Sequence, residues 1–311
     1  MNKFLKYSVV EPKEGDKRIS YSQFAMYSSC PKHWELAYAK GLRTFSQSIH
    51  TIFGTAFHET LQTYISTMYK DSVKAADELD LHKLLRDNMA SVYKKAIDET
   101  KEHFSTKFEL GEFYNDGVAI LDWFKSHRGA YFSKKGYELV GIEMPLYTQA
   151  VDGNKDIKML AYLDIVLRDT VFNKIEIIDI KTSTRGWNKW QKADKIKSSQ
   201  LVLYKEYFAK QYGFSADMND IKYLIVKRKL FDGAMFPQKR VQEFIPASGK
   251  PTRNKLLKEI NEFINVGFKD DGSYNLDNKY LAVPGKNNKS CKFCEFKDNQ
   301  DLCPKENRIR E

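Results

Sequence analysis

Only four cysteines occur in 311 residues, and no apolar run approaches the length of a membrane span. The first scarcity excludes a disulfide-dense scaffold, and the second excludes a helical membrane protein. The opening MNKFLKYSVVEPKEGDK has no apolar core of signal-peptide length, so a cytoplasmic address with no membrane partner is expected. No internal repeat or low-complexity tract is present, which sets aside repeat architectures. Acidic residues are outnumbered, 41 against 51 Lys and Arg, for a formal charge of +10. That balance fits a polyanionic partner, although excess lysine also serves solubility. Against these absences stand a hydrophobic share of 42% and an aromatic share of 14%, enough for a folded globule.

Periodicity divides the chain into helices first and strands later. Residues 1–51 read as an N-terminal helical segment: a short helix capped by Ser22, a break at Pro31, and a second helix carrying Trp34 and Tyr38. Residues 52–132 continue as helix, with Phe53, Ala56, Phe57, Leu61, Tyr64, Ile65 and Met68 at helical spacing, then an insertion broken near Gly111. Residues 133–270 form the α/β core. Tyr137–Tyr147, Lys158–Leu167 and Lys174–Thr182 make a three-stranded meander, followed by a helix from Asp194 to Tyr212. Strands Ile221–Lys229 and Arg240–Ile245 and a helix from Thr252 to Phe268 complete it. Residues 271–311 form a loop-like tail that ends in cysteines, the whole being one integrated domain.

The stretch EIIDIKTS carries the chemistry. Asp-Ile-Lys also occurs at Asp156–Lys158 and Asp220–Lys222, but there the acid precedes the apolar run and both groups can be solvated at a strand entrance. At Asp179 the run Ile175, Ile177, Ile178 comes first and the polar pair follows. Residues two apart on a strand share a face, so Asp179 and Lys181 point together. Asp164, in AYLDIV, pairs alongside through a hairpin turn at Arg168–Asn173. Asp164, Asp179 and the backbone carbonyl of Ile180 are hard oxygen donors suited to Mg²⁺ or Mn²⁺. Such an ion supports phosphodiester hydrolysis, with Lys181 orienting water and phosphate; the plain alternative is a strand-end lysine paired with Asp179. His58, in FGTAFHE, is a further candidate ligand, because Gly54 and Ala56 let its helix approach a strand edge; a satisfied core histidine is the alternative. Glu143, in VGIEMPLY, interrupts an apolar strand and is a candidate catalytic group or an exposed strand glutamate. Gln200 and Tyr204 share a helical face and can grip a phosphate or sugar, or simply pack. Trp187 and Trp190 can stack on bases or serve as packing lids. From Lys222 to Lys258 ten basic residues face two acids, Asp232 and Glu243; within this segment Lys227 and Arg228 are candidate phosphate contacts.

Cys291, Cys294 and Cys303 cluster near the C terminus, with two and then eight residues between them, and Cys30 stands alone. This spacing suits a metal better than disulfides. Four thiolates fit tetrahedral Zn²⁺ or an iron–sulfur cluster, and if Cys30 joins them the site closes a loop of more than half the chain. A free, buried Cys30 is the alternative.

In order along the chain, SYSQFAMYSSCP, GTAFHE, VGIEMPL, AYLDIV, DIKT, QLVLY and CKFCEFKDNQDLCP resemble the motifs of the RecB-type branch of the PD-(D/E)XK nuclease superfamily. The likeness is to its iron–sulfur members, such as AddB-like nuclease domains and the RecB-like CRISPR-associated nucleases. Two positions depart from the pattern: Ala161 stands where glycine is common and Ile180 where an aromatic is common. The resemblance implies a PD-(D/E)XK, restriction-endonuclease-like α/β core with a mixed sheet flanked by helices. It also implies a 4Fe-4S cluster on Cys30, Cys291, Cys294 and Cys303, and Mg²⁺- or Mn²⁺-dependent cleavage of single- or double-stranded DNA with a free end. Relatives act in recombination and repair, some from phage, beside recombinases, helicases or single-strand-binding proteins. A catalytically silent DNA-threading subunit of a helicase-nuclease assembly and a zinc-stapled structural protein are the competing readings.

Overall fold

The computed structural model describes residues 7–44, 47–151, 155–231, 233 and 235–309. Asp232 and the first six residues, part of the stretch read for a signal core, lie outside them. In chain order the elements are β1 (Lys17–Ile19), α1 (Tyr21–Ser29), α2 (Pro31–Trp34) with a π-helical turn at Glu35–Ala39, α3 (Ile49–Lys70), α4 (Val73–Glu78), α5 (Leu81–Thr100) and α6 (Lys107–Tyr131). There follow β2 (Tyr137–Gln149), β3 (Ile157–Asp169), β4 (Lys174–Ser183), α7 (Lys189–Ala193), α8 (Lys195–Tyr212), β5 (Asn219–Lys227), β6 (Val241–Phe244) and α9 (Lys250–Gly267).

Among the described residues the strands make one six-stranded mixed sheet. β2, β3 and β4 pair antiparallel in sequence order, β5 joins β4 in parallel, and β6 closes the far edge antiparallel. β1, too short to be seen in the sequence pattern, pairs in parallel with the first residues of β3. Both faces are covered. Ile177, Leu163, Tyr223 and Ile225 pack with Phe24, Leu203, Tyr207, Ile260 and Phe263, that is, with α1, α8 and α9. On the other face Ile178, Ile180, Leu224 and Val226 pack with Phe57, Leu61, Leu85 and Phe124 of α3, α5 and α6. β5 is buried along almost its whole length, as a central strand between two helical layers must be.

Local signals set the helix ends, with two corrections to the sequence reading. Ser20, not Ser22, caps α1, its hydroxyl accepting from the Gln23 N–H. The insertion breaks at residues 101–106, not at Gly111: Lys101 turns left-handed to end α5, and a Thr106–Glu109 capping box starts α6. Gly111 rides inside α6, since one helical glycine costs only about 1 kcal/mol. The helix carrying Trp34 and Tyr38 runs unbroken from Pro31 to Ala39 but widens from α to π after Trp34.

The two other Asp-Ile-Lys copies are also placed. Asp156 and Lys158 form an exposed pair at 2.6 Å. Lys222 is not solvated: it is 3% exposed and bonded to Glu176 at 2.8 Å. Its aliphatic stem is therefore core, and its charge is neutralised within the sheet.

Candidate active site

Strands β3 and β4 pair only from Asp169↔Lys174 to Ile165↔Ile178. Beyond Ile178, β4 stays with β5 through Ser183↔Lys227 and leaves β3. Asp164 sits in the fork, where its Oδ2 accepts the Ile180 N–H at 2.7 Å. The hairpin thus keeps the two acids close after the ladder between their strands has ended.

Glu143 lies opposite Asp164, between the register pairs Ile142↔Ile165 and Met144↔Leu163. Its φ is +48°, a left-handed conformation that a non-glycine residue holds only when its surroundings impose it. Side-chain alternation changes phase at this pair. Met159, Ala161 and Leu163 belong to the α1/α8/α9 layer, whereas Ile165 and Leu167 belong to the α3/α5/α6 layer. In β2, Met144 and Ile142 divide in the same way. Glu143 and Asp164 therefore occupy the seam between the two cores, where neither apolar layer claims their side chains.

Helix α3 reaches this seam because it can come close to β4: a Cβ added to Gly54 would lie 3.4 Å from Thr182 Oγ1. One turn later His58 Nδ1 is 3.7 Å from Asp164 Oδ2, with the backbone of Ile180 beside the ring. A further turn on, buried Gln62 donates from Nε2 to Glu143 Oε1 at 2.5 Å. Sequence reasoning missed Gln62. Its available signal was a polar residue four positions from His58 on an otherwise apolar face.

Lys181 Nζ lies 2.7 Å from Asp179 Oδ2, which is closed to solvent and is reached by no other donor among the described residues. Burial raises the pKa of Asp164 to about 6 against the pull of Lys181 and the Ile180 N–H. Burial likewise raises Asp179 to about 6 despite Lys181, with Asp164 adding to the rise. Burial holds His58 below its ordinary value, which favours the neutral imidazole. Burial also opposes the Lys181 ammonium, but Asp179 and Asp164 outweigh it and raise its pKa. Asp164 and Asp179 thus share one fixed cation, and Glu143 adds to the rise at Asp164.

From α8, Gln200 Nε2 donates to the Tyr204 hydroxyl at 2.8 Å. The Tyr204 pKa is raised first by burial and further by the charges of Asp179, Asp164 and Glu143, so the phenol faces the acids. A cleft of about 680 Å³ opens at Lys181 and passes Gln200 and Lys197 to Lys289 and Phe293 of the cysteine segment. A second, of about 730 Å³, lies against Cys291 among Lys292, Lys297, Lys305 and Arg308.

The other sequence candidates divide. Trp190 is 73% exposed. Trp187 packs its largely buried ring against Tyr223 and Phe244 and also lines the cleft that opens at Lys181. Lys227, at the end of β5, is half-buried. Arg228 is turned inward: it bonds Glu112 at 3.2 Å and Asp116 at 2.5 Å and stacks 3.8 Å over Phe113. Its partners lie in the helical insertion, which no local pattern could reveal.

The two chain ends meet. Ser29 and Ser290 bond each other, the Lys32 N–H donates to the Leu281 carbonyl, and Cys30 Sγ accepts the Val283 N–H at 3.3 Å. All four cysteines are free thiols. Cys291 feels Cys30 and Cys303, and Cys294 feels Cys30 and Cys291. Burial first, and then Glu295 and these neighbouring thiols, push Cys294 up to about 11. His33, also missed in the sequence, joins Cys294 and Glu295 with ligand atoms within 4.8 Å of one another.

A family model described as the PD-(D/E)XK nuclease superfamily matches residues 18–303, nearly the whole chain. No curated protein matches the sequence. No helix among the described residues is long and apolar enough to cross a membrane.

Proposed function

The chain belongs to the PD-(D/E)XK nuclease superfamily, whose members are metal-dependent nucleases, and on that premise we propose a DNA exonuclease that works with Mg²⁺ or Mn²⁺. The residues fit such an ion. Asp164, Asp179 and the Ile180 carbonyl offer hard oxygen donors, neutral His58 offers a nitrogen, and three carboxylates against one ammonium leave the pocket short of positive charge. When bound, the ion supplies charge neutralisation at the scissile phosphate and acidifies water. Lys181 orients the attacking water and holds the phosphate. Glu143, fixed by Gln62, completes the ligand shell or takes the proton. Gln200 and Tyr204 brace the backbone of the bound strand, which lies in the cleft between Lys181 and Phe293; Trp190 and Lys227 extend the contact. Trp187 lines the same cleft beside Lys181 and Lys197, while Arg228 is committed to packing and is left out of this interface.

The four cysteines are assigned to an iron–sulfur cluster of the 4Fe-4S type, with Zn²⁺ as the alternative. The support is that all four are free and gathered from both ends of the chain. The wider role, cytoplasmic recombination, repair or phage DNA processing beside a recombinase, helicase or single-strand-binding protein, rests on the resemblance alone.

The observation that carries the reading is the fork at Asp164, which brings Asp179, Lys181, His58 and Glu143 to one place. Purified protein is expected to degrade end-labelled linear DNA with Mg²⁺ and not with EDTA, and Asp179→Ala is expected to be inactive. Equal rates for wild type and variant would remove the assignment. Single- and double-stranded substrates blocked at either end then give polarity and separate exonuclease from endonuclease. A brown preparation with broad visible absorbance distinguishes iron–sulfur from zinc.

A further inference from the structure

The helical insertion carries a second concave surface, on α5 and α6, that the nuclease reading does not use. A groove of about 520 Å³ is floored by Met89, Tyr93 and Ile97 of α5 and by Leu110, Gly111 and Tyr114 of α6. Its two charged lining residues, Arg86 and Lys94, are both cations. From Arg86 to Ile97 the α5 wall runs about 16 Å at 1.5 Å per residue, or three helical turns.

Two details argue that something covers it. Gly111 lies inside a helix, where glycine costs about 1 kcal/mol against alanine, yet a Cβ built there meets nothing within 4 Å. Internal packing therefore gives no reason for the glycine; what its missing side chain provides is depth in the groove. One turn earlier on α6, Phe108 is 81% exposed, and residues three apart are neighbours on a helix surface. A large bare aromatic beside an apolar groove is the usual mark of an interaction site.

We infer that this groove docks an acidic amphipathic helix of a partner protein. Three turns of groove match the helix-in-groove mode, in which residues spaced i, i+3, i+4, i+7 enter an apolar channel. The cations at its border select acidic flanks. Asp87, the carboxylate nearest Arg86 at 3.6 Å, is shared with Lys83 at 2.5 Å, so it does not fully neutralise that rim. The surface recruits a partner without occupying the catalytic fork.

The test uses the full chain and a fluorescein-labelled amphipathic peptide with leucine on one face and glutamate on the other. Its counterpart carries lysine in place of glutamate. Fluorescence anisotropy is expected to give a Kd on the order of 10–100 μM for the acidic peptide, at least about tenfold weaker for the lysine one. Gly111→Leu fills the groove with a better helix former, so it is expected to leave the thermal midpoint unchanged or higher while weakening the acidic peptide about tenfold or more. Arg86→Glu combined with Lys94→Glu should reverse the preference between the peptides. Equal binding of both peptides, or full affinity in folded Gly111→Leu, would overturn the inference. So would concentration-dependent dimerisation that Gly111→Leu abolishes, since a second copy would then be the occupant.

Discussion

A carboxylate at Asp179 has to ionise to hold a cation, yet burial raises its pKa from 3.8 to about 6. Between those values the folded chain keeps protons that the unfolded chain has released. The contribution of Asp179 to the free energy of unfolding therefore falls as pH rises from about 4 to about 6 and is flat above that range. Asp164, raised to about 6 by burial as well, acts in the same direction. In EDTA, Asp179→Asn is expected to melt a few degrees above wild type at pH 7.5, the gap closing towards pH 4, while activity falls about 10²–10³-fold or more. Differential scanning fluorimetry across pH reads the first effect; a gap that does not change with pH would show that the buried charge is not its source. Gln62 works at one remove, bonding Glu143 at the strained φ of +48°. Gln62→Ala should raise the Mg²⁺ concentration for half-maximal rate by about 10–100-fold, the usual cost of losing a residue that orients a ligand. An unchanged Mg²⁺ requirement would limit Gln62 to packing.

The hairpin that carries the two acids was legible in the sequence because its partners are neighbours: a single turn joins β3 to β4, and period-2 apolar spacing puts Asp179 and Lys181 on one face, whereas the change of phase at Asp164 was not visible in it. What lay beyond local pattern was where pairing stops. The fork after Ile178 depends on β5 holding β4, and the seam at Glu143 depends on helical layers contributed by distant segments. The insertion shows the same limit. Arg228 and Lys229 read as basic surface, but each reaches across to Asp116 of α6, and Lys229 also bonds Glu112 at 2.9 Å. This cross-link ties the end of β5 to the insertion, and Arg228, only 9% exposed, carries most of the cost of breaking it. Arg228→Ala should cost about 1–2 kcal/mol, through the lost packing and cation–π stacking of a buried guanidinium over Phe113, since Lys229 stays paired with both carboxylates, and it should leave the salt dependence of DNA binding unchanged. Denaturant unfolding and salt titrations of DNA affinity separate the two effects. A salt slope lower by about one, with stability intact, would instead make Arg228 a phosphate contact.

Across the whole molecule, the cysteine segment gives the cleft at Lys181 one of its walls. Lys181 and Gln200 line one end, and Lys289, Ser290 and Phe293 line the other. The second wall is held by the contacts that join Ser29 to Ser290 and Lys32 to Leu281, next to the gathered thiols. The proposed metal cluster there would close a loop of more than half the chain, which by the entropic account of cross-links would remove about 5 kcal/mol of unfolded-state freedom. The acids, by contrast, are carried by β2, β3 and β4 and buttressed by His58 and Gln62 of α3. Cys303→Ser is therefore expected to bleach the visible absorbance, lower the denaturation midpoint and expose the C-terminal segment to proteolysis. It should also weaken DNA binding about tenfold as the far wall loosens. Mn²⁺ binding at the fork, followed by electron paramagnetic resonance, should persist in the same variant. Loss of DNA affinity with Mn²⁺ binding retained would identify the staple as a wall of the DNA cleft. Loss of both would mean that the fork itself depends on the joined chain ends.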